Sequence, residues 1–291
     1  MDKIQRKSLL YKTGVEYGDW AINFLEGCSH GCTYCYAFKM AKRFKKTTYE
    51  EWCKPKLVEN AYEILSSELW SYNWKNRRGL CDRIDNVTMC FSTDPFMLCD
   101  PKDRKEVYDM AIRLMGLFSY YHIKVRILTK GQLPSDPMGK YSDWEYGISL
   151  SSLSSEFKEK YEPHAMDPYM RILELKNLHE QGYKTWVSME PYPTPNIVKQ
   201  DINEILEKIK FVDKIVFGRW HYDKQISSYK ETWNMPDGDK FKFNAKNFYN
   251  REARAVKMFC AMNNIECIIK KGTYTSGESN TTTTIRPETL A

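Results

Sequence analysis

Three cysteines stand in the run Gly27-Cys28-Ser29-His30-Gly31-Cys32-Thr33-Tyr34-Cys35-Tyr36-Ala37. The Cys-x3-Cys-x2-Cys spacing offers three thiols within eight residues, and the thiolate is the form that binds metal. Cys28, Cys32 and Cys35 can therefore hold three irons of a 4Fe-4S cluster and leave the fourth iron without a protein ligand. A ferredoxin closes its cluster with four cysteines and only passes electrons; an open iron can take a reactant. Gly27 and Gly31 allow a tight backbone turn whose N–H groups point at an anionic centre. A structural zinc site would want a fourth Cys or His, commonly in paired Cys-x2-Cys runs, and His30 is poorly placed to share a metal with its neighbours.

Such a loop needs a rigid support. Downstream of it, short β-rich runs alternate with helical patterns, the mark of a parallel α/β architecture. Strands are expected at Trp20–Leu25, Asn86–Phe91, Lys124–Thr129, Tyr146–Leu150, Lys184–Met189 and Lys214–Phe217, and Ile265–Ile269 closes the series after a helix at Phe248–Met262. Apolar residues recur at helical spacing in Leu57, Ala61, Ile64, Leu65 and Leu69, and again in Val107, Ala111, Leu114, Met115 and Phe118. Two further sets are Ile172, Leu173, Leu175 and Leu178, then Ile202, Ile205, Leu206 and Ile209. Asp100-Pro101 and Asp167-Pro168 read as helix starts and Gly182 as a stop. Ser71–Asp85 and Leu133–Glu145 read as long connections able to act as lids.

The chain of 291 residues suits one large unit, and 42% apolar with 14% aromatic residues suffices for a sizeable core. The expected organisation is an N-terminal extension over 1–19, a barrel over 20–272 and a low-complexity tail over 273–291. No run is apolar enough to span a membrane, Met1-Asp2-Lys3-Ile4-Gln5 lacks a signal-peptide core, and the nine scattered cysteines suggest a reducing compartment, so a cytoplasmic location is expected. Net charge is only +6, with both signs interleaved. The basic run Lys39-Met40-Ala41-Lys42-Arg43-Phe44-Lys45-Lys46 reads first as a solvated helix face. It could also meet a phosphate-bearing substrate or an acidic electron donor such as flavodoxin.

With an aromatic before its third cysteine, the loop resembles the signature of the radical S-adenosylmethionine superfamily. Further likeness to the spore photoproduct lyase-like branch lies in Ser92-Thr93-Asp94-Pro95, Arg126-Ile127-Leu128-Thr129-Lys130, Ile148-Ser149-Leu150-Ser151-Ser152 and Glu162-Pro163 ahead of Arg171-Ile172-Leu173. The resemblance implies a partial (β/α)6 TIM-like barrel with the cluster loop after the first strand and the chemistry at the C-terminal ends of the strands. It implies a 4Fe-4S cluster whose open iron chelates S-adenosylmethionine, and reductive cleavage of that cofactor to methionine and a 5′-deoxyadenosyl radical that abstracts hydrogen from substrate.

Residues at the strand ends take roles from this. Tyr34 and Ser92 would line the cofactor. Asp94 could accept a hydrogen bond from its ammonium and Lys130 could pair with its carboxylate, while an Asp-Pro turn is the structural alternative for Asp94. Ser149 and Ser151 can bond ribose hydroxyls. Glu190, in Met189-Glu190-Pro191-Tyr192, brings a carboxylate to the same face as a catalytic candidate; pairing with an Arg or a backbone amide is its structural alternative. Arg219 and His221, in Gly218-Arg219-Trp220-His221-Tyr222-Asp223, suit a planar heterocycle held by stacking with its oxygen or phosphate met by a cation, and Phe96 and Tyr192 add aromatic substrate contacts. Packing against the last helix is the alternative for the aromatics.

The substrate expected from this is a small nucleoside or nucleotide. Duplex DNA is disfavoured because the chain lacks an obviously basic DNA-binding module. Spore photoproduct repair uses an additional cysteine beyond the third strand, and none lies between Cys99 and Cys260. Similarity in scale and pattern extends to enzymes that release queuine from queuosine or its 5′-phosphate, which makes a base-releasing lyase the specific expectation. Competing readings are a radical enzyme modifying a peptide, a protein or a DNA lesion, and a non-catalytic iron–sulfur electron carrier.

Overall fold

A computed structural model of the chain describes residues 1–15, 18–135, 137–139, 143–221, 223–234, 240–273 and 283–285. It divides into two compact units, Met1–Ile148 with Glu159–Lys184, and Ser149–Lys158 with Thr185–Ala291.

The first unit opens with β1 (Asp2–Ile4), β2 (Leu10–Val15), β3 (Gly18–Ile22) and β4 (Leu25–Glu26). The cysteine loop follows, then α1 (Tyr36–Lys45), α2 (Tyr49–Trp52), β5 (Lys56–Val58) and α3 (Ala61–Arg77). After these come β6 (Asn86–Met89), α4 (Pro101–Tyr120), β7 (Lys124–Thr129) and β8 (Glu145–Ser149). Strands β3, β6, β7 and β8 lie parallel in that order, and β2 runs antiparallel outside β3. A small sheet joins β1, β5 and β4. The strands are buried on both faces, as strands flanked by helices must be.

The chain then passes through α5 (Ser155–Tyr161) and α6 (Pro168–Glu180) to β9 (Lys184–Tyr192), α7 (Ile202–Lys208), β10 (Lys214–Arg219) and α8 (Lys224–Ser227). β11 (Lys230–Asn234), β12 (Lys240–Asn244), α9 (Ala245–Met262), β13 (Glu266–Ile269) and β14 (Thr283–Ile285) complete it. In the second unit β9, β10 and β13 are parallel and β14 lies antiparallel against β13.

Local chemistry sets several boundaries where the sequence places them. Asp100 and Asp167 cap α4 and α6 by accepting from Lys102 N–H at 3.0 Å and Tyr169 N–H at 2.9 Å, each followed by a proline in the first turn. Gly182, with φ of +85°, ends α6: its N–H reaches the His179 carbonyl and that of Tyr183 reaches Leu178. Val107, Ala111, Leu114, Met115 and Phe118 of α4 are all buried.

Several expectations change. The first strand is split, with β3 ending at Ile22 and Leu25 in β4. Ser71 to Arg77 belong to α3, whose periodicity is blurred because Trp70 and Trp74 face outward, and Leu57 sits on β5 rather than on that helix. No helix joins β7 to β8 among the described residues, so the strict alternation lapses there. Strands β11 and β12 pair antiparallel inside the last crossover. Within the expected extension, β1 joins one sheet of the first unit and β2 the other, and of the tail only Thr273 and β14 are described. No described helix is long and apolar enough to cross a membrane.

Candidate cluster site and cleft

The loop of Cys28, Cys32 and Cys35 is held by the first unit's backbone. Cys28 N–H donates to the Trp52 carbonyl at 2.9 Å, Thr33 N–H to Tyr161 at 3.1 Å, and the Tyr49 hydroxyl to Gly31. Gly27 has φ of +88°, and a Cβ there would stand 2.5 Å from the Trp52 carbonyl oxygen. Gly27→Ala is therefore expected to displace the loop; iron and sulfide bound per chain after anaerobic reconstitution should fall to a small fraction of wild type.

Cys35 has a second role, because its Sγ accepts the Phe38 N–H at 3.4 Å and so caps α1. The positive end of that helix therefore faces the Cys35 sulfur. Burial pushes the Cys32 thiol up to about 12 and Cys28 well above its ordinary value. Such thiols ionise when cationic iron offsets the desolvation. Among the described residues no three His, Cys, Asp or Glu side chains converge on a single point. Cysteines that each bind a different corner of a cluster need no such convergence, so the three loop thiols fit a cluster with one open iron; Cys53, outside the loop, packs against the same small core as Cys35.

Asp94 organises the adjoining strand ends. One oxygen accepts Phe96 N–H at 2.9 Å and the Thr129 hydroxyl at 2.7 Å, and the other accepts Lys130 N–H at 2.8 Å. That second oxygen also lies 3.4 Å from His30 Nδ1, while His30 Nε2 accepts Leu98 N–H at 3.1 Å. Burial lowers His30 to about 4 against the pull of Asp94, so the imidazole is neutral with its proton assigned to Nδ1. The expected bond from Asp94 to a cofactor ammonium would have to be added to a carboxylate already serving four protein groups.

Lys130 holds its ammonium 5.6 Å from the centre of the Tyr34 ring. Burial opposes its charge, but the Cys32 sulfur and the Glu162 carboxylate outweigh it and raise Lys130 above the ordinary lysine value. Among the described residues no ion pair or side-chain hydrogen bond reaches that ammonium. A cation left in this way beside the cysteines is fitted to an anionic group. Ser92 stands nearby in sequence, half-buried, with its N–H on Asn23 at 3.0 Å.

Sequence reading missed the partners of Tyr34. Its hydroxyl donates to Glu162, whose other oxygen takes Arg171 Nη2 at 2.6 Å, both charged side chains being at most 3% exposed. Burial raises the Glu162 carboxyl, but Arg171, Lys130 and the tyrosine bond prevail and hold it below the usual carboxylate range. The Glu-Pro and Arg-Ile-Leu stretches drew notice as likeness, yet nothing local says they meet.

The second unit holds the remaining candidates. In β9, Glu190 and Pro191 together oppose Gly218 of β10, a bulge that turns the Glu190 side chain. Gly218 makes room for it, since a Cβ there would be 3.0 Å from the Glu190 carboxyl carbon. Glu190 pairs with Lys270 Nζ at 2.9 Å, a partner the sequence did not reveal. Arg219 Nε donates to His221 Nδ1 at 3.2 Å. Arg219, Trp220, His221, Lys224, Lys246 and Tyr249 line a cleft of about 590 Å³. Ser149 is buried; Ser151 is 1% exposed, its carbonyl accepts from Gln200 Nε2 at 3.1 Å, and its hydroxyl has no partner among the described residues.

Tyr192 is a correction. It is 1% exposed, with its ring 5.2 Å from Phe217 and 6.1 Å from Phe248 and its carbonyl accepting the Tyr249 hydroxyl at 2.7 Å. The strand continues past the bulge and turns this ring into the core rather than toward a substrate. Phe96, in the first unit, is also buried; it packs against Tyr108 at 6.0 Å and borders a hollow of about 250 Å³.

No family model matches the chain. An uncharacterized protein of Acidianus two-tailed virus is 26% identical over 210 residues, 67% of this chain and 64% of the relative, so the match leaves over a third of that relative uncovered. An uncharacterized protein of Methanocaldococcus jannaschii is 25% identical over 211 residues, 72% of each chain. Among solved structures, spore photoproduct lyase with bound AdoMet and dinucleoside spore photoproduct superposes with a TM-score of 0.57 at 13% identity, covering 94% of this chain and 81% of that one. The fold of the chain is thus the α/β partial barrel of spore photoproduct lyase.

Proposed function

We propose that the chain is a radical S-adenosylmethionine enzyme acting on a nucleoside or nucleotide, and specifically a lyase that frees a modified base, queuine, from queuosine or its 5′-phosphate. The observation that carries the reading is the loop of Cys28, Cys32 and Cys35, three ligands and no fourth, on the fold of spore photoproduct lyase. When bound, the 4Fe-4S cluster and S-adenosylmethionine supply a 5′-deoxyadenosyl radical for hydrogen abstraction.

The chain's own residues bind and orient. Lys130 takes the cofactor carboxylate, and Tyr34, tied to Glu162, fixes Lys130 from below through its ring. Asp94 holds the ends of β6 and β7 and, through His30, the cysteine loop itself; Ser92 stays beside this turn. The free Ser151 hydroxyl and its neighbour Ser149 suit ribose oxygens. Glu190, paired with Lys270, is the candidate to hold a substrate hydroxyl or proton. The 590 Å³ cleft with Arg219 and His221 is of a size for a nucleotide, with the cations toward phosphate.

Anaerobic incubation of reduced, cluster-loaded protein with S-adenosylmethionine and queuosine 5′-phosphate is expected to yield queuine together with 5′-deoxyadenosine. Deoxyadenosine without queuine would remove the queuosine assignment, and neither product would overturn the enzyme reading. Arg219→Ala should weaken binding of the phosphorylated substrate about 10- to 100-fold by calorimetry, the range for a hydrogen bond to a charged group.

A further inference from the structure

Helix α1 leaves the last cysteine of the loop and carries a surface that neither cluster nor substrate binding uses. At about 100° per residue, Tyr36, Lys39, Met40 and Arg43 fall within an arc of roughly 100°. Ala37 and Ala41 lie on the opposite side and are buried. Tyr36 is 50% exposed, Met40 54%, and Phe44, at the edge of the stripe, 70%. Lys39, Lys42, Arg43 and Lys46 are exposed among them. From Gly27 to Tyr49 the sequence contains no acidic residue. The acids just beyond are engaged locally, Glu50 with Lys54 at 2.7 Å and Glu51 in the cap of α2. An apolar stripe of aromatic and methionine side chains, set among cations that form no ion pair with the described residues, has the make-up of a protein interface rather than of a solvated helix face.

We propose that the outer face of α1 is the docking surface for an acidic one-electron donor protein. The inference rests on the cluster assigned under Proposed function. Ten residues at 1.5 Å each make α1 about 15 Å long, so all of this face lies close to Cys35. A donor seated on it brings its redox centre near the cluster, and opposite charge speeds the encounter without demanding a large contact area. The step is a single electron: the reduced donor is oxidised by one, the cluster is reduced by one, and no bond or proton moves. Single-stranded nucleic acid is the competing occupant, gripped by cations and stacked rings. The rings argue against it, because Arg43 already lies over Phe44 at 5.3 Å, and Tyr36 is tied to Phe91 by its hydroxyl at 2.9 Å and by ring contact at 6.0 Å.

The test uses the cluster-loaded full chain, the double variant Lys39→Glu/Arg43→Glu, and flavodoxin as the probe. The variant is expected to bind oxidised flavodoxin at least about tenfold more weakly at low salt, and its cluster should be reduced by reduced flavodoxin at least about tenfold more slowly in stopped flow. Reduction by dithionite should match wild type, which establishes that the variant is folded and loaded. A second variant, Met40→Ser, keeps the charge and should weaken flavodoxin binding by a smaller factor. Flavodoxin binding and reduction within twofold of wild type in the double variant would overturn the proposal, as would loss of affinity for a single-stranded oligonucleotide with flavodoxin reduction intact. Wild-type protein that takes an electron from dithionite but leaves S-adenosylmethionine uncleaved would instead count against the enzyme reading, while the flavodoxin affinities still decide the docking face.

Discussion

Replacing Cys28, Cys32 or Cys35 singly by alanine should abolish both iron binding and formation of 5′-deoxyadenosine. Wild type is expected to hold about four irons per chain after reconstitution, and each variant well under one. The reason is ligand count: two thiolates cannot hold a cuboidal cluster that three hold with one corner open. Cys35→Ala should add a stability loss on the order of 1 kcal/mol, because its sulfur also caps α1. Cys81→Ser is the control; that thiol donates to the Tyr72 carbonyl within the same stretch of chain, and the variant should retain full iron content. Retention of iron by any of the three loop variants would return the site to an ordinary closed cluster or another metal.

The second large effect belongs to the buried pair under the loop. Arg171→Met is expected to cost about 3–5 kcal/mol in urea unfolding, since it removes the ion-pair partner of the buried Glu162 carboxylate and leaves only Lys130 and the Tyr34 hydroxyl beside it. Its pH dependence has a definite sign. In wild type the folded Glu162 titrates below its unfolded value, so its stabilisation is fully present above the ordinary carboxylate range and is lost as pH falls through the folded value. Without Arg171 the folded value rises, because burial is then opposed only by Lys130 and the tyrosine bond, and less of this stabilisation remains at neutral pH. The difference between the proteins should therefore be smallest below the folded wild-type value and widen as pH rises through the carboxylate range. A gap independent of pH would mean that lost packing, not charge, sets the cost. Absorbance of the reconstituted cluster should fall as well, because Glu162 anchors Tyr34 inside the loop.

Much of the fold was legible wherever a residue acts on its own neighbours. Asp100, Asp167 and Gly182 mark helix ends because capping is a bond over two or three residues, and the apolar positions of α4 line one face because of helical geometry alone. The Lys240-Phe241-Lys242-Phe243 alternation carries the period of a strand and went unread beside the stronger helical signal of α9. Strands of two or three residues, β1, β4 and β5, are too short to show any period. At the site, the three cysteines stand out because their chemistry fits into eight residues, and Lys130 and Glu190 because each follows or ends a buried strand run. Tyr192 misled because the bulge opposite Gly218 breaks the simple alternation along β9. The pairs Tyr34 with Glu162 and Glu190 with Lys270 join distant segments, and no local pattern encodes such contacts.

The tie between Tyr34 and Glu162 spans 128 residues. During synthesis at roughly 5–20 residues per second, the cysteines leave the ribosome about 6–26 s before Glu162 does, and Arg171 follows. For that interval the thiols lack the buried carboxylate, and for its earlier part the strand ends of β6 and β7 as well. Iron delivered to the nascent chain would meet an open loop, whereas iron delivered after release would meet one closed around Tyr34. The timing of metal supply relative to translation, and protection of three bare thiols from oxidants meanwhile, should thus govern how much active protein a cell or an expression host recovers.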